Sequence, residues 1–125
     1  MSRITDEVAL LEKQYNVIEK DAANQWVIIL YDLPAGWNRI KVPILILIPT
    51  GYPNTKPDNF YVPEGFRTAT GVLPGNYTDG HAILGKKYGQ FSYHLEEWRP
   101  TDDICTGHTL VSFMLGVEQR LADVN

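Results

Sequence analysis

The chain has 125 residues, about one ordinary globular domain, and 44% of them are hydrophobic, so it can bury a core and is not disordered throughout. Eleven lysines and arginines against fifteen aspartates and glutamates give a net charge of −4, and like charges never run beyond adjacent pairs, which excludes the concentrated basic stripe that nucleic-acid phosphates require. Apolar runs such as residues 44–48, bounded by Pro43 and Pro49, are far too short for a membrane span, and the first seven residues lack the apolar core of a secretion signal, so a cytoplasmic protein is expected.

A single cysteine, Cys105, makes neither an internal disulfide nor a structural zinc site, and His81, His94 and His108 show no metal-ligand spacing. No metal and no other cofactor are expected. Residues 6–15 read as a short amphipathic helix, with Thr5 as N-cap, acids in the first turn, and Ile4, Val8, Leu11 and Tyr15 at helical spacing. From Val17 the pattern turns to strands: residues 17–19, 26–31 and 40–48, separated by the polar stretches 21–24 and 34–38. Connectors this short predict an antiparallel meander, because a parallel pair needs a long crossover. Pro43 inside the third run implies an edge or a bulge, where a missing N–H is tolerated.

A proline-rich turn follows, with Pro49, Pro53 and Pro57 beside Tyr52, and then the short apolar run Phe60-Tyr61-Val62 as a fourth strand. Residues 63–90 carry many glycines and little periodicity and read as one long loop, which in so small a domain is more often functional than idle. Thr101-Asp102-Asp103-Ile104 predicts a helix start with a cap and first-turn acids. Within that helix Leu110, Met114, Val117 and Leu121 form one apolar stripe, and Ile104, His108, Val111 and Leu115 an adjoining one. No repeat and no domain boundary interrupt the chain, so residues 1–125 read as a single α+β domain.

Several ordered motifs, Leu33-Pro34, then Ile48-Pro49-Thr50-Gly51-Tyr52-Pro53 through Pro57 and Phe60, then Trp98-Arg99-Pro100 ahead of the last helix, resemble the ubiquitin-conjugating fold. Phe91-Ser92-Tyr93-His94 followed by Trp98-Arg99-Pro100-Thr101-Asp102-Asp103 is similar to a bacterial branch of that superfamily, the prokaryotic ubiquitin-conjugating family E. The resemblance implies an N-terminal helix, a four-stranded meander, a long active loop and a C-terminal helix. It also implies two partners, a ubiquitin-like protein and an adenylating activating enzyme.

In the eukaryotic enzymes an asparagine motif precedes the nucleophilic cysteine. Here the stretch from Pro74 to Ile83 has a similar cadence, but Ile83 stands where the cysteine is expected. Anchoring on Trp98 instead brings the nucleophile near Phe91-Ser92-Tyr93. Ser92 is then the leading acyl carrier, through an oxyester, and a serine hydroxyl needs a positioned base. His94 is two residues on, which in an extended segment puts both side chains on one face. Asp102 or Asp103 would orient the imidazole, and Asn76 is a candidate oxyanion donor by analogy with the eukaryotic motif.

Cys105 competes as nucleophile: on the expected helix it shares a face with Thr109, Ser112 and Gly116 and neighbours His108. Two functions therefore stand side by side, a transferase that carries a ubiquitin-like protein as an acyl intermediate and hands it to an amine, and an inactive variant of the same fold that only binds such a protein. A purely structural scaffold is the third and blandest.

Overall fold

A computed structural model describes residues 2–125. The elements are α1 (Arg3–Gln14), β1 (Asn16–Asp21), β2 (Trp26–Asp32), β3 (Lys41–Leu47), β4 (Phe60–Pro63), β5 (Tyr77–Ile83), β6 (Lys86–Phe91) and α2 (Leu110–Ala122). Every strand pair is antiparallel, and the single sheet runs β1-β2-β3-β4-β6-β5. The class is α+β with a helix near each end, and the sheet has six strands where four were expected.

The two extra strands come from the segment that reads as a long loop. β5 and β6 form a hairpin closed by Leu84 and Gly85, both at positive φ (53° and 76°), the geometry of a tight two-residue turn. Alternation is hidden there by a register shift between Thr78 and His81, with Gly80 at φ 91°, and by Gly89. Gly89 is a packing requirement: a Cβ on it would lie 1.9 Å from the Tyr77 hydroxyl oxygen. The true irregular stretch is therefore residues 64–76, pinned where the Arg67 guanidinium meets Asp79 at 2.6 Å and the Asp79 carboxylate accepts from the Tyr77 hydroxyl at 2.6 Å.

One face of the sheet and the two helices enclose the main core, in which Leu11, Ile29, Ile44, Phe60, Phe91, Phe113, Met114 and Leu121 are sealed from solvent. The four-residue stripe expected on α2 (Leu110, Met114, Val117, Leu121) is fully buried. Trp37 was read as part of a polar connector. It is core instead, with its indole N–H donating to the Leu121 carbonyl at 2.9 Å and its ring 4.8 Å from that of Phe66. Pro43 pairs in register with Leu30 and marks neither a sheet edge nor a bulge. The β3–β4 ladder has its register at Leu45↔Tyr61, which leaves the β3 stretch around Pro43 locally unpaired on that side.

Both helix starts differ from expectation. α1 is capped by Ser2, whose Oγ accepts from the Thr5 N–H at 3.2 Å, so the helix begins earlier than a Thr5 cap allows. α2 begins at Leu110, not near Thr101. Thr109 is its N-cap, with a reciprocal bond from the Thr109 N–H to Ser112 Oγ at 3.0 Å. Residues 101–108 form a closed turn: the Thr106 N–H reaches the Asp103 carbonyl, the Cys105 N–H reaches the Asp103 carboxylate, and the Thr101 and Thr106 hydroxyls meet at 2.6 Å. Short polar side chains bonding nearby backbone compete with helix, and here they win. Gly107 allows the closure, since a Cβ there would sit 2.5 Å from the Thr101 nitrogen.

Glu7, read as a first-turn acid, is fully buried. Its carboxylate takes the Arg3 guanidinium at 2.6 Å, the Tyr52 hydroxyl, and the Leu110 N–H at 2.8 Å. It thus ties α1, the proline-rich turn and the positive end of α2 together. Trp98 closes the other side of that turn, donating to the Pro53 carbonyl at 2.7 Å.

Candidate acyl-transfer site

Beyond the end of β6 residues 92–94 belong to no strand, but their exposure alternates, and Tyr93 decides which way the others face. Its ring enters the core against Phe60 and Phe113, and its hydroxyl lies where a Cβ on Gly116 would be only 1.8 Å away. With Tyr93 facing inward, period-two alternation turns Ser92 and His94 outward, and both are exposed. Two neighbours hold the segment straight. The Asn76 carbonyl accepts from the Ser92 N–H at 2.8 Å, while Asn59 brackets Tyr93, its N–H donating to the Tyr93 carbonyl at 2.8 Å and its Oδ1 accepting from the Tyr93 N–H at 3.1 Å. Asn59 and Asn76 both adopt positive φ (62° and 56°), a conformation asparagine tolerates better than most side chains.

His94 Nδ1 is hydrogen-bonded to the Asp58 carboxylate. An ionised carboxylate only accepts, so Nδ1 carries the proton, and in the neutral ring Nε2 keeps its lone pair free for a second group. The carboxylate that meets the His94 imidazole is thus Asp58, where Asp102 or Asp103 was expected; both of those lie in the turn ahead of α2. Sequence reading passed over Asp58. The signal was a polar pair, Asp58-Asn59, wedged between Pro57 and the first strand residue Phe60, and nothing in the sequence links it to a histidine 36 residues away. Among the described residues Ser92 Oγ has no hydrogen-bond partner and points to solvent. The site thus presents a free hydroxyl, an imidazole held in one tautomer, and an asparagine in the turn just ahead of β5 whose backbone carbonyl holds the Ser92 N–H.

Cys105 lies elsewhere in character. It is a free, exposed thiol in the 101–108 turn, so the helical face it was expected to share with Thr109, Ser112 and Gly116 does not exist. His108, its proposed neighbour, has Nδ1 occupied by the Arg99 N–H at 2.9 Å and its ring 5.8 Å from that of Trp98. Ile83 is a strand residue near the β5–β6 hairpin tip, which makes the nucleophile-like cadence before it a feature of a strand, not of an active loop. Among the described residues no group of three or more His, Cys, Asp and Glu side chains is placed to hold a metal ion, and no helix is long and apolar enough to cross a membrane.

An α+β fold with a helix near each end of the chain and a tyrosine-proline turn packed on Trp98 is consistent with a protein of the ubiquitin-conjugating kind. The chain matches prokaryotic E2 family E over residues 4–118 and belongs to that family. No curated protein and no solved structure matches it. Membership carries a ubiquitin-conjugating-like role and, in general terms, interaction with a ubiquitin-like protein and its activating enzyme.

Proposed function

We propose that the protein is a bacterial, cytoplasmic acyl transferase that carries a ubiquitin-like protein on Ser92 as an oxyester and passes it to a target amine. The observation that supports this reading best is the Asp58–His94 pair two residues along the chain from an exposed Ser92 whose hydroxyl has no partner among the described residues. In the first step Ser92 Oγ attacks the carbonyl of the thioester held by the activating enzyme. The hydroxyl proton goes to His94 Nε2, the C–O bond forms, the C–S bond breaks, and the thiolate leaves. Once the departing thiolate has taken up the proton from the imidazolium, an amine attacks the ester carbonyl in the second step: the C–N bond forms, the C–O bond to Ser92 breaks, and His94 Nε2 takes the proton shed by the amine nitrogen and delivers it to the leaving Ser92 oxygen. Asn76 supplies a donor beside the oxyanion in this scheme.

The test is intact-mass spectrometry after incubation with ATP, the cognate activating enzyme and its ubiquitin-like protein, followed by reductant and then hydroxide. An adduct that survives reductant, is lost to hydroxide and is absent in Ser92→Ala supports the oxyester. Loss on reduction assigns the acyl group to Cys105 and removes Ser92 from the mechanism. The second reading, a non-catalytic module that only holds the ubiquitin-like protein, is favoured by the lack of any bond between Ser92 Oγ and His94, and retention of the partner on a column with no adduct under any condition selects it.

A further inference from the structure

Away from Ser92, the end of α1, the end of β2 and the outer flank of α2 meet around Tyr15, Tyr31 and Glu118. Two open cavities of 330 and 400 Å³ adjoin there, both with Tyr31 and Glu118 in their walls. One reaches Gln14 and Leu30, and the other runs along α2 past Leu115 and Ala122. Glu118 is half-buried. One of its oxygens, Oε1, accepts from the Tyr15 hydroxyl, and among the described residues no lysine, arginine or histidine stands within ion-pair distance of it.

The surroundings carry a negative field. Burial first, and then the Glu118 carboxylate, hold the Tyr15 phenol well above its ordinary range. Tyr31 is raised by burial and then by the charges of Glu118 and Asp32. Asp32, in the wall of one cavity, is met by Lys41 at 3.6 Å with both side chains mostly in water, a pair that leaves Glu118 uncompensated. At the far end Leu115 is 50% exposed, a large apolar side chain on the flank of α2 that faces away from the core.

We propose that this trough binds a lysine or arginine side chain of a partner polypeptide, with a neighbouring apolar side chain of that partner covering Leu115. A cation entering between Tyr31 and Glu118 gains a carboxylate whose second oxygen is free, together with the faces of two aromatic rings. Arginine suits the place better than lysine, because its planar group stacks on tyrosine while it bonds the carboxylate. The same negative field disfavours nucleic acid and anionic lipid. The trough shares no residue with the Ser92 site, so the proposal stands or falls independently of the transfer chemistry.

The test is an NMR titration of the ¹⁵N-labelled chain with the capped dipeptide acetyl-Arg-Leu-amide, beside acetyl-Gln-Leu-amide. Saturable shifts confined to Tyr15, Tyr31, Leu115, Glu118 and Ala122, seen with the arginine peptide and weakened by salt, are expected. Glu118→Gln keeps an acceptor for the Tyr15 hydroxyl while removing the charge, and should weaken binding about five-fold or more. Equal shifts with both peptides, equal binding by Glu118→Gln, or no shifts at millimolar peptide would overturn the proposal. Shifts that depend on protein concentration alone would overturn it too, since a second copy of the chain would then cover this face.

Discussion

Glu7 and Asp58 are both carboxylates with partners far along the chain, and their surroundings are opposite. Glu7 is sealed from water among Arg3, Tyr52 and the first N–H of α2, whereas Asp58 and His94 face each other with 53% and 59% of their side chains exposed. A buried charge with several donors is expensive to disturb and cannot meet a substrate. An exposed pair adds little stability and can meet one. The contrast separates the residues that assemble the fold from those available for chemistry.

The largest expected effect falls on the buried member. Glu7→Ala leaves Arg3 and the Leu110 N–H without their acceptor and should cost about 3–5 kcal/mol of unfolding free energy, read from urea denaturation, enough to threaten folding altogether. A cost near zero would erase the contrast. Next comes His94→Ala, which should slow adduct formation near pH 7 about 100-fold while leaving the urea midpoint within error. An unchanged rate removes His94 as base. Gly116→Ala tests the link between the two regions, because the new Cβ collides with the Tyr93 hydroxyl that aims Ser92 and His94 outward. A loss of about 1–3 kcal/mol is expected, with the amide resonances of residues 92–94 shifting together.

The smallest effect concerns pH. Asp79 has its carboxyl lowered to about 2, chiefly by the hydrogen bond from Arg67. A depressed folded-state value means that its contribution is fully present above the ordinary carboxyl range near 3.8 and is lost as pH falls through about 2. Asp79→Asn should therefore lower the urea midpoint modestly at pH 7, and the gap from the parent protein should close below pH 3. A gap that stays constant down to pH 2 would mean that the ion pair contributes nothing. Because Asp79 anchors the 64–76 stretch and not the Ser92 segment, the variant should still form the adduct at the parent rate.

Much of the fold was legible because it rests on local pattern. The first three strands alternate or run apolar between polar connectors, and the α2 stripe repeats at helical spacing, so both could be read without tertiary knowledge. β5 and β6 could not: a register shift, Gly80 and Gly89 break their period, and Gly89 is explained only by the Tyr77 ring that covers it. The start of α2 misled for a related reason. Thr101-Asp102-Asp103 carries cap chemistry, and the same side chains instead closed a turn on themselves, leaving Thr109 to cap the helix.

At the candidate site, alternation alone put Ser92 and His94 on one face, because any extended segment does so whatever surrounds it. What lies beside them depended on the tertiary structure. Asp58 reaches His94, the Asn76 carbonyl holds the Ser92 N–H just beyond the ends of β5 and β6, and Glu7 becomes a buried hub because strands and loops distant in sequence are packed together. Hydrophobic period, caps and turn residues act within a few positions and are written in the chain. The partners of a charge are set by which segments the core brings into contact, and no local pattern encodes that.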